Sequence, residues 1–144
     1  MKILLLVDGS EHSAKAADYL VKHFGWFKDV DLQLLHVTPP IPRGLGIAHV
    51  EKNMGHGAVS QFYAAEGADA LAPAEAVLKK ANVAFKYTHE IGNIDEKIHE
   101  FAAKNGIELV VMGSHGRTGL KSLVMGSIAT RVVAASTVPV LIVR

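Results

Sequence analysis

Leu109-Val110-Val111-Met112-Gly113-Ser114-His115-Gly116 is an unbroken apolar run that passes directly into small, conformationally free residues, and Gly126-Ser127 then opens the next regular segment. A short continuous apolar run bounded by turn residues reads as a strand buried on both faces, which is the environment of a parallel sheet. The same pattern begins the chain, where Ile3–Val7 runs into Asp8-Gly9-Ser10. Ser10 stands where a helix N-cap belongs, and Ala14, Ala17, Leu20, Val21 and Phe24 then recur at helical spacing. Further strands are predicted over Leu32–Val37, Val83–Ile91 and Val138–Val143, and helices over Ala58–Ala81, Asp95–Lys104 and Ser127–Ser136. Ile94, Ile98 and Phe101 fall on one face of the second of these helices, and Asn105-Gly106 supplies its C-cap. Pro73 falls inside the first and predicts a kink or break there. Pro39, Pro40, Pro42, Gly44 and Gly46 make the stretch from Pro39 to Gly57 a loop. Parallel strands need helical crossovers, so this alternation specifies an α/β fold: an open, twisted, five-stranded parallel sheet with helices on both faces, in one domain without linker or repeat.

The bulk composition excludes several kinds of protein. Of 144 residues, 49% are apolar and 20% charged, as in an ordinary globular chain and unlike a disordered one. Fifteen basic and 14 acidic residues nearly cancel, which argues against nucleic acid or an anionic membrane surface as partner. There is no cysteine, which removes disulfides, thiolate metal sites and cysteine nucleophiles and agrees with a reducing compartment. The opening Met1–Val7 run is too short for a secretory signal, and no apolar stretch reaches membrane-spanning length, so a cytoplasmic location is expected.

In an open parallel sheet, ligands bind beyond the carboxyl ends of the strands where the strand order reverses. Two turns of that kind are rich in glycine and small polar residues, Asp8-Gly9-Ser10 and Gly113-Ser114-His115-Gly116. Glycines at 113, 116 and 126 let the backbone approach a phosphate and present its N–H groups to it. Gly126-Ser127 then places the unpaired N–H groups and positive dipole end of a helix beside that loop, with the Ser127 hydroxyl as a further hydrogen-bonding group and cap. The G-x-G-x-x-G dinucleotide spacing and the Lys-Ser/Thr pair of a P-loop are both absent.

Gly113-x2-Gly116-x9-Gly126-Ser127 resembles the G-2x-G-9x-G-[S/T] ATP-binding signature of the universal stress proteins. The resemblance extends to Ile3–Ser10, Leu35-His36-Val37, Val110–Gly116 and the closing Val138-Pro139-Val140-Leu141-Ile142-Val143. It implies a Rossmann-like sheet of order 3-2-1-4-5, in which the reversal falls between the first and fourth strands. It also implies a site for ATP (or AMP or ADP) with Mg²⁺, formed by Asp8, Gly9, Ser10, Val37, Met112, Gly113, His115, Gly116, Arg117, Gly126, Ser127 and Ile128. Within that set Gly116, Gly126 and Ser127 would cradle phosphate and Gly113 would lie beside the ribose. Val37 would meet adenine through its backbone, and Asp8 would touch the ribose or a phosphate-bound metal. His115 and Arg117 stand at variable positions of the signature, within reach of phosphate, and Gly119 and Lys121 are further phosphate candidates. One departure is Ile94 in Gly92-Asn93-Ile94, where many relatives carry proline; it concerns helix initiation.

Other readings are weighed on the same residues. Asp8 can simply help Ser10 cap the first helix, and His49 and His56 match no standard metal spacing. Ser10, Ser114 and Ser127 lack a base at a motif spacing, and His115 alone is a weak basis for an ATPase, so no catalytic residue is expected. Alternatives to the nucleotide reading are a non-binding scaffold of the same fold and a slow ATPase. In the implied strand order Val138–Val143 is an open apolar edge, which predicts a homodimer formed by that strand and its copy.

Overall fold

Strands β1 (Lys2–Leu6), β2 (Asp31–Thr38), β3 (Lys86–Ile91), β4 (Leu109–Gly113) and β5 (Val140–Val143) form one parallel sheet in the order β3-β2-β1-β4-β5. The computed structural model describes residues 1–42, 47–55, 57–117 and 125–144. Central β1 sets the register: Leu5 lies opposite Leu34 of β2 and Val111 of β4. Because side chains alternate along a strand, one face of the sheet carries Ile3, Leu5, Val7, Leu32, Leu34 and Val111. That face packs under Ala16, Ala17 and Leu20 of α1 (Glu11–Lys22) and Ala74 and Leu78 of α3 (Ala58–Lys80). The other face carries Leu4, Leu6, Leu35, Val37, Val110 and Met112 under Ile98 and Phe101 of α4 (Ile94–Asn105) and Ala129 and Val132 of α5 (Ser127–Ala135). Each fully buried leucine or valine contributes about 1.5–3 kcal/mol, so this two-sided core outweighs any single local preference.

Helix ends follow local chemistry. Ser10 caps α1 by accepting the Ser13 N–H at 3.2 Å, and Asn93 caps α4 by accepting the N–H groups of Asp95 and Glu96 at 3.1 and 3.2 Å. Gly106 ends α4 in the left-handed conformation, φ 64°.

The structure departs from the sequence expectations in several of its elements. The stretch between Pro39 and Gly57 holds a further helix, α2 (Ile47–Met54), framed by the proline- and glycine-rich segments on either side. α3 continues unbroken through Pro73. Pro73 removes one helical hydrogen bond, but Ala70, Ala74 and Leu78 bury on either side of it, and tertiary packing overrides the local penalty. β3 starts at Lys86, after Val83 and Phe85 have packed against the core, and β5 starts at Val140.

Candidate functional site

β1 and β4 are neighbours, but the chain leaves them toward opposite faces, to α1 from the first and to α5 from the second. A cleft of about 640 Å³ opens at that point, beyond the carboxyl ends of the strands, within the usual range for small-molecule sites. Leu35, Val37, Ile94, Ile98 and Met112 make its apolar side, while Asp8, Glu66, Ser114, His115, Gly116, Arg117 and Ser127 make its polar side.

The start of α5 forms part of the cleft wall. Gly126, not Ser127, is its N-cap, and among the described residues no side chain caps its first-turn N–H groups. Ser127 is the first helical residue and its side chain is exposed, so the predicted serine cap is corrected: glycine fills that position because the carbonyl of Ser114 lies against it. A Cβ on Gly126 would stand 3.2 Å from that oxygen, whose partner is the Gly126 N–H at 2.8 Å. α1 and α4 have side-chain caps; α5 presents its first-turn N–H groups and dipole to the cleft, an arrangement suited to an anion. Gly116 adds to this cradle, since a Cβ there would reach 3.0 Å from the Asp8 carboxylate.

The Asp8-Gly9-Ser10 turn is locally fixed. Asp8 Oδ1 accepts the Ser10 N–H at 2.9 Å, which leaves Oδ2 facing Gly116. Gly9 adopts φ 79°, and a Cβ there would meet the Asp69 carbonyl of α3 at 2.8 Å. Gly9 and Ser10 therefore shape and cap the turn and do not line the cleft, whereas the other expected site residues that are described do. Gly113 has a second role. A Cβ on it would lie 2.6 Å from His12 Cβ and 2.7 Å from the His12 carbonyl carbon, so glycine is what lets α1 sit directly on β4.

Arg117 reaches across the cleft: its Nη1 pairs with Glu66 Oε2 of α3 at 3.0 Å, and its Nε donates to the Asp8 carbonyl. Ser114, buried behind it, shares a hydrogen bond with His115 Nδ1 at 3.0 Å, and the His115 ring lies 5.2 Å from that of His12. His36 is 8% exposed. Its Nδ1 lies 2.8 Å from the Val7 carbonyl, an acceptor, so Nδ1 carries the proton and the partnerless, buried Nε2 is bare. The His36 ring stacks on that of His89, whose Nε2 bonds Thr38 Oγ1 at 2.8 Å.

Burial lowers the pKa of His36 from the usual 6.5, helped by His89 and Arg117 and opposed by the Val7 carbonyl and Asp8. Burial likewise lowers that of His89, against the attraction of Glu66. Between 6.5 and these depressed values the unfolded chain binds protons that the folded chain refuses. Stability is thus full above 6.5 and is lost as the pH falls through that window. Thermal unfolding of the free protein should therefore move to lower temperature between pH 7.5 and 5.5. His36→Asn, which keeps a donor toward Val7, should flatten the slope; an unchanged slope would assign the effect to other groups.

Sequence reasoning did not place Glu66 or Ser13 in the cleft, and gave Ile94 and Ile98 only as one face of a helix. Glu66 has no local signal, because only the fold of α3 over β2 brings it to Arg117. Gly119 and Lys121 lie outside the described residues. Among the described residues no group of three His, Asp or Glu side chains is arranged to hold a metal, and no helix is long and apolar enough to cross a membrane.

The family model described as "Universal stress protein family" matches residues 1–144. Universal stress protein YxiE of Bacillus subtilis is 32% identical over 147 residues, covering 99% of this chain and 98% of its own. The solved structure of MJ0577 from Methanocaldococcus jannaschii superposes with a TM-score of 0.76 at 27% identity, over 99% of this chain and 94% of that one. A universal stress protein from Archaeoglobus fulgidus, solved in complex with dAMP, shares the fold with a TM-score of 0.68 at 17% identity, over 100% of this chain and 98% of that one.

Proposed function

The chain belongs to the universal stress protein family, and on that premise we propose that its residues 1–144 form one nucleotide-binding domain that takes ATP and signals its occupancy to a protein partner in a cytoplasmic stress response. The observation that carries this reading is the first turn of α5, without a side-chain cap among the described residues and at the wall of a cleft whose opposite side is apolar. An adenine nucleotide has both halves of that complement: a flat base for Leu35, Val37, Ile94 and Met112, and phosphates for the N–H groups of Ser127 and Ile128 and the glycine cradle at 116 and 126. The Archaeoglobus fulgidus neighbour solved with dAMP supports an adenine nucleotide as the ligand class.

A Mg²⁺ ion carried on the phosphates would find Asp8 as its protein carboxylate, with Oδ2 left over from the turn hydrogen bond. The ion would neutralise phosphate charge beside Asp8 and Glu66. ADP and AMP fit the same cradle with fewer contacts. Calorimetric titration of ATP with Mg²⁺ into the protein tests the reading; heat of binding is expected, and its absence removes it.

The second element of the proposal is the homodimer. β5 pairs only with β4, and its outer edge, within Val138–Val143, is apolar. The opposite edge strand, β3, carries Lys86 and Glu90, charges that discourage pairing. A two-fold copy joined at β5 closes the open edge. Light scattering at micromolar concentration should give the mass of two chains, and a charged substitution, Leu141→Lys, should shift it toward one; a single-chain mass for the unaltered protein would end this part of the proposal.

A further inference from the structure

Beyond its uncapped helix, the cleft contains an ion pair that a phosphate ligand would have to disturb. Arg117 directly follows Gly116 of the phosphate cradle, and its guanidinium is held by Glu66 at 3.0 Å and by the Asp8 carbonyl. Glu66 lines the same cleft with a side chain only 27% exposed. It is also the last residue of a poorly anchored stretch. From Ala58 to Glu66 no residue of α3 is buried, and burial begins at Gly67. Gly67 is fixed to the sheet from below: a Cβ there would meet His89 Nδ1 at 2.6 Å, and Tyr87 donates its hydroxyl to the Gly67 carbonyl at 2.6 Å. Ahead of that anchor, and apart from the backbone hydrogen bonds of the helix and of its start at Gly55 and Gly57, this stretch is held by Tyr63 Oη accepting the Ile41 N–H at 2.9 Å and by Glu66 on Arg117. Exposed Phe62 lies on this stretch, and exposed Met54 ends the helix before it.

Resting on the nucleotide reading above, we propose that Glu66 is an internal competitor for Arg117, and that a ligand's terminal phosphate takes Arg117 from Glu66 and frees the first turns of α3. The physical reason is charge. Glu66 places its carboxylate on this guanidinium, the Asp8 carboxylate faces the adjoining Gly116, and a polyphosphate on the α5 N-terminus adds further negative charge next to them. Arg117 can satisfy a phosphate with the same planar fork that now holds a carboxylate. Once the arginine turns to phosphate, Glu66 loses that partner, and among the described side-chain ties of the 58–66 stretch the one from Tyr63 to Ile41 remains. Phosphate occupancy is thereby converted into looseness of one surface helix, the kind of change a partner protein can read. A phosphate-free nucleoside in the same cleft leaves the pair intact.

Hydrogen exchange of residues 58–66, with calorimetric affinities for ATP and for adenosine in the unaltered protein and in Glu66→Gln, tests this. ATP should speed exchange at 58–66 and adenosine should not. Glu66→Gln should exchange fast there without ligand, should gain nothing further from ATP, and should bind ATP about two- to fivefold more tightly, the range expected for losing a partly exposed ion pair, with adenosine affinity unchanged. ATP binding that leaves 58–66 unchanged or protected, or a Glu66→Gln protein that binds ATP no better, overturns the competitor role and leaves the nucleotide reading standing. Absence of ATP binding in both proteins overturns both.

Discussion

Gly113→Ala is expected to lower the unfolding free energy by about 3 kcal/mol, at the upper end of overpacking costs, because the new methyl group has nowhere to go. At 2.6–2.8 Å from the Cβ, carbonyl carbon and carbonyl oxygen of His12, it presses on backbone atoms of α1 and not on a side chain that can rotate away. Relief requires lifting α1 from β4, which opens the packing of Ala16, Ala17 and Leu20 against the sheet. Gly106→Ala is the comparison. Gly106 sits at φ 64° with open space around its missing Cβ, so it should lose only the left-handed penalty, about 1 kcal/mol. Denaturant midpoints of the ligand-free proteins measure both. If Gly113→Ala unfolds no more easily than Gly106→Ala, the close approach of α1 to β4 is not what requires glycine there.

The second large effect concerns ligand affinity. Gly126→Val should weaken ATP binding at least tenfold, which is about 1.4 kcal/mol or more. The valine Cβ would stand 3.2 Å from the Ser114 carbonyl and 3.4 Å from His115 Cα, and its two methyl groups would fill the space through which a phosphate reaches the first N–H groups of α5. Gly126 itself is outside the two buried core clusters, so the far-ultraviolet spectrum should be kept and the loss of affinity should exceed any loss of stability. Calorimetry on the folded variant separates the outcomes: affinity retained within threefold would place the phosphates elsewhere in the cleft. Together the two substitutions separate glycines of one signature by physical role, Gly113 by helix packing and Gly126 by access to a helix N-terminus.

Much of this protein is legible locally. Continuous runs such as Ile3–Val7 and Leu109–Met112 mark strands covered on both sides, since only a parallel sheet under helices tolerates apolar residues at every position. Ser10 and Gly106 mark helix ends because the chemistry of a cap is complete within a few residues. The glycine spacing marks the proposed phosphate cradle for the same reason: Gly113, Gly116, Gly126 and Ser127 belong to one excursion from β4 to α5. Those same stretches carry the resemblance to the family, and it is the resemblance that implies the sheet order found.

What the sequence by itself determined, then, is the set of features decided by neighbours along the chain: strand, cap, turn and the glycine cradle. The tertiary structure alone decided the rest. α3 runs through Pro73 because the burial of Ala70, Ala74 and Leu78 exceeds the loss of one hydrogen bond, and no window of sequence contains that sum. Gly9 and Gly113 are required by helices packed from elsewhere, α3 and α1. Glu66 enters the cleft only because α3 crosses above β2 and meets Arg117 from 51 residues away. Local propensity acts through backbone geometry over a few residues, whereas steric fit and charge pairing depend on distance in space, which the chain acquires only when it folds.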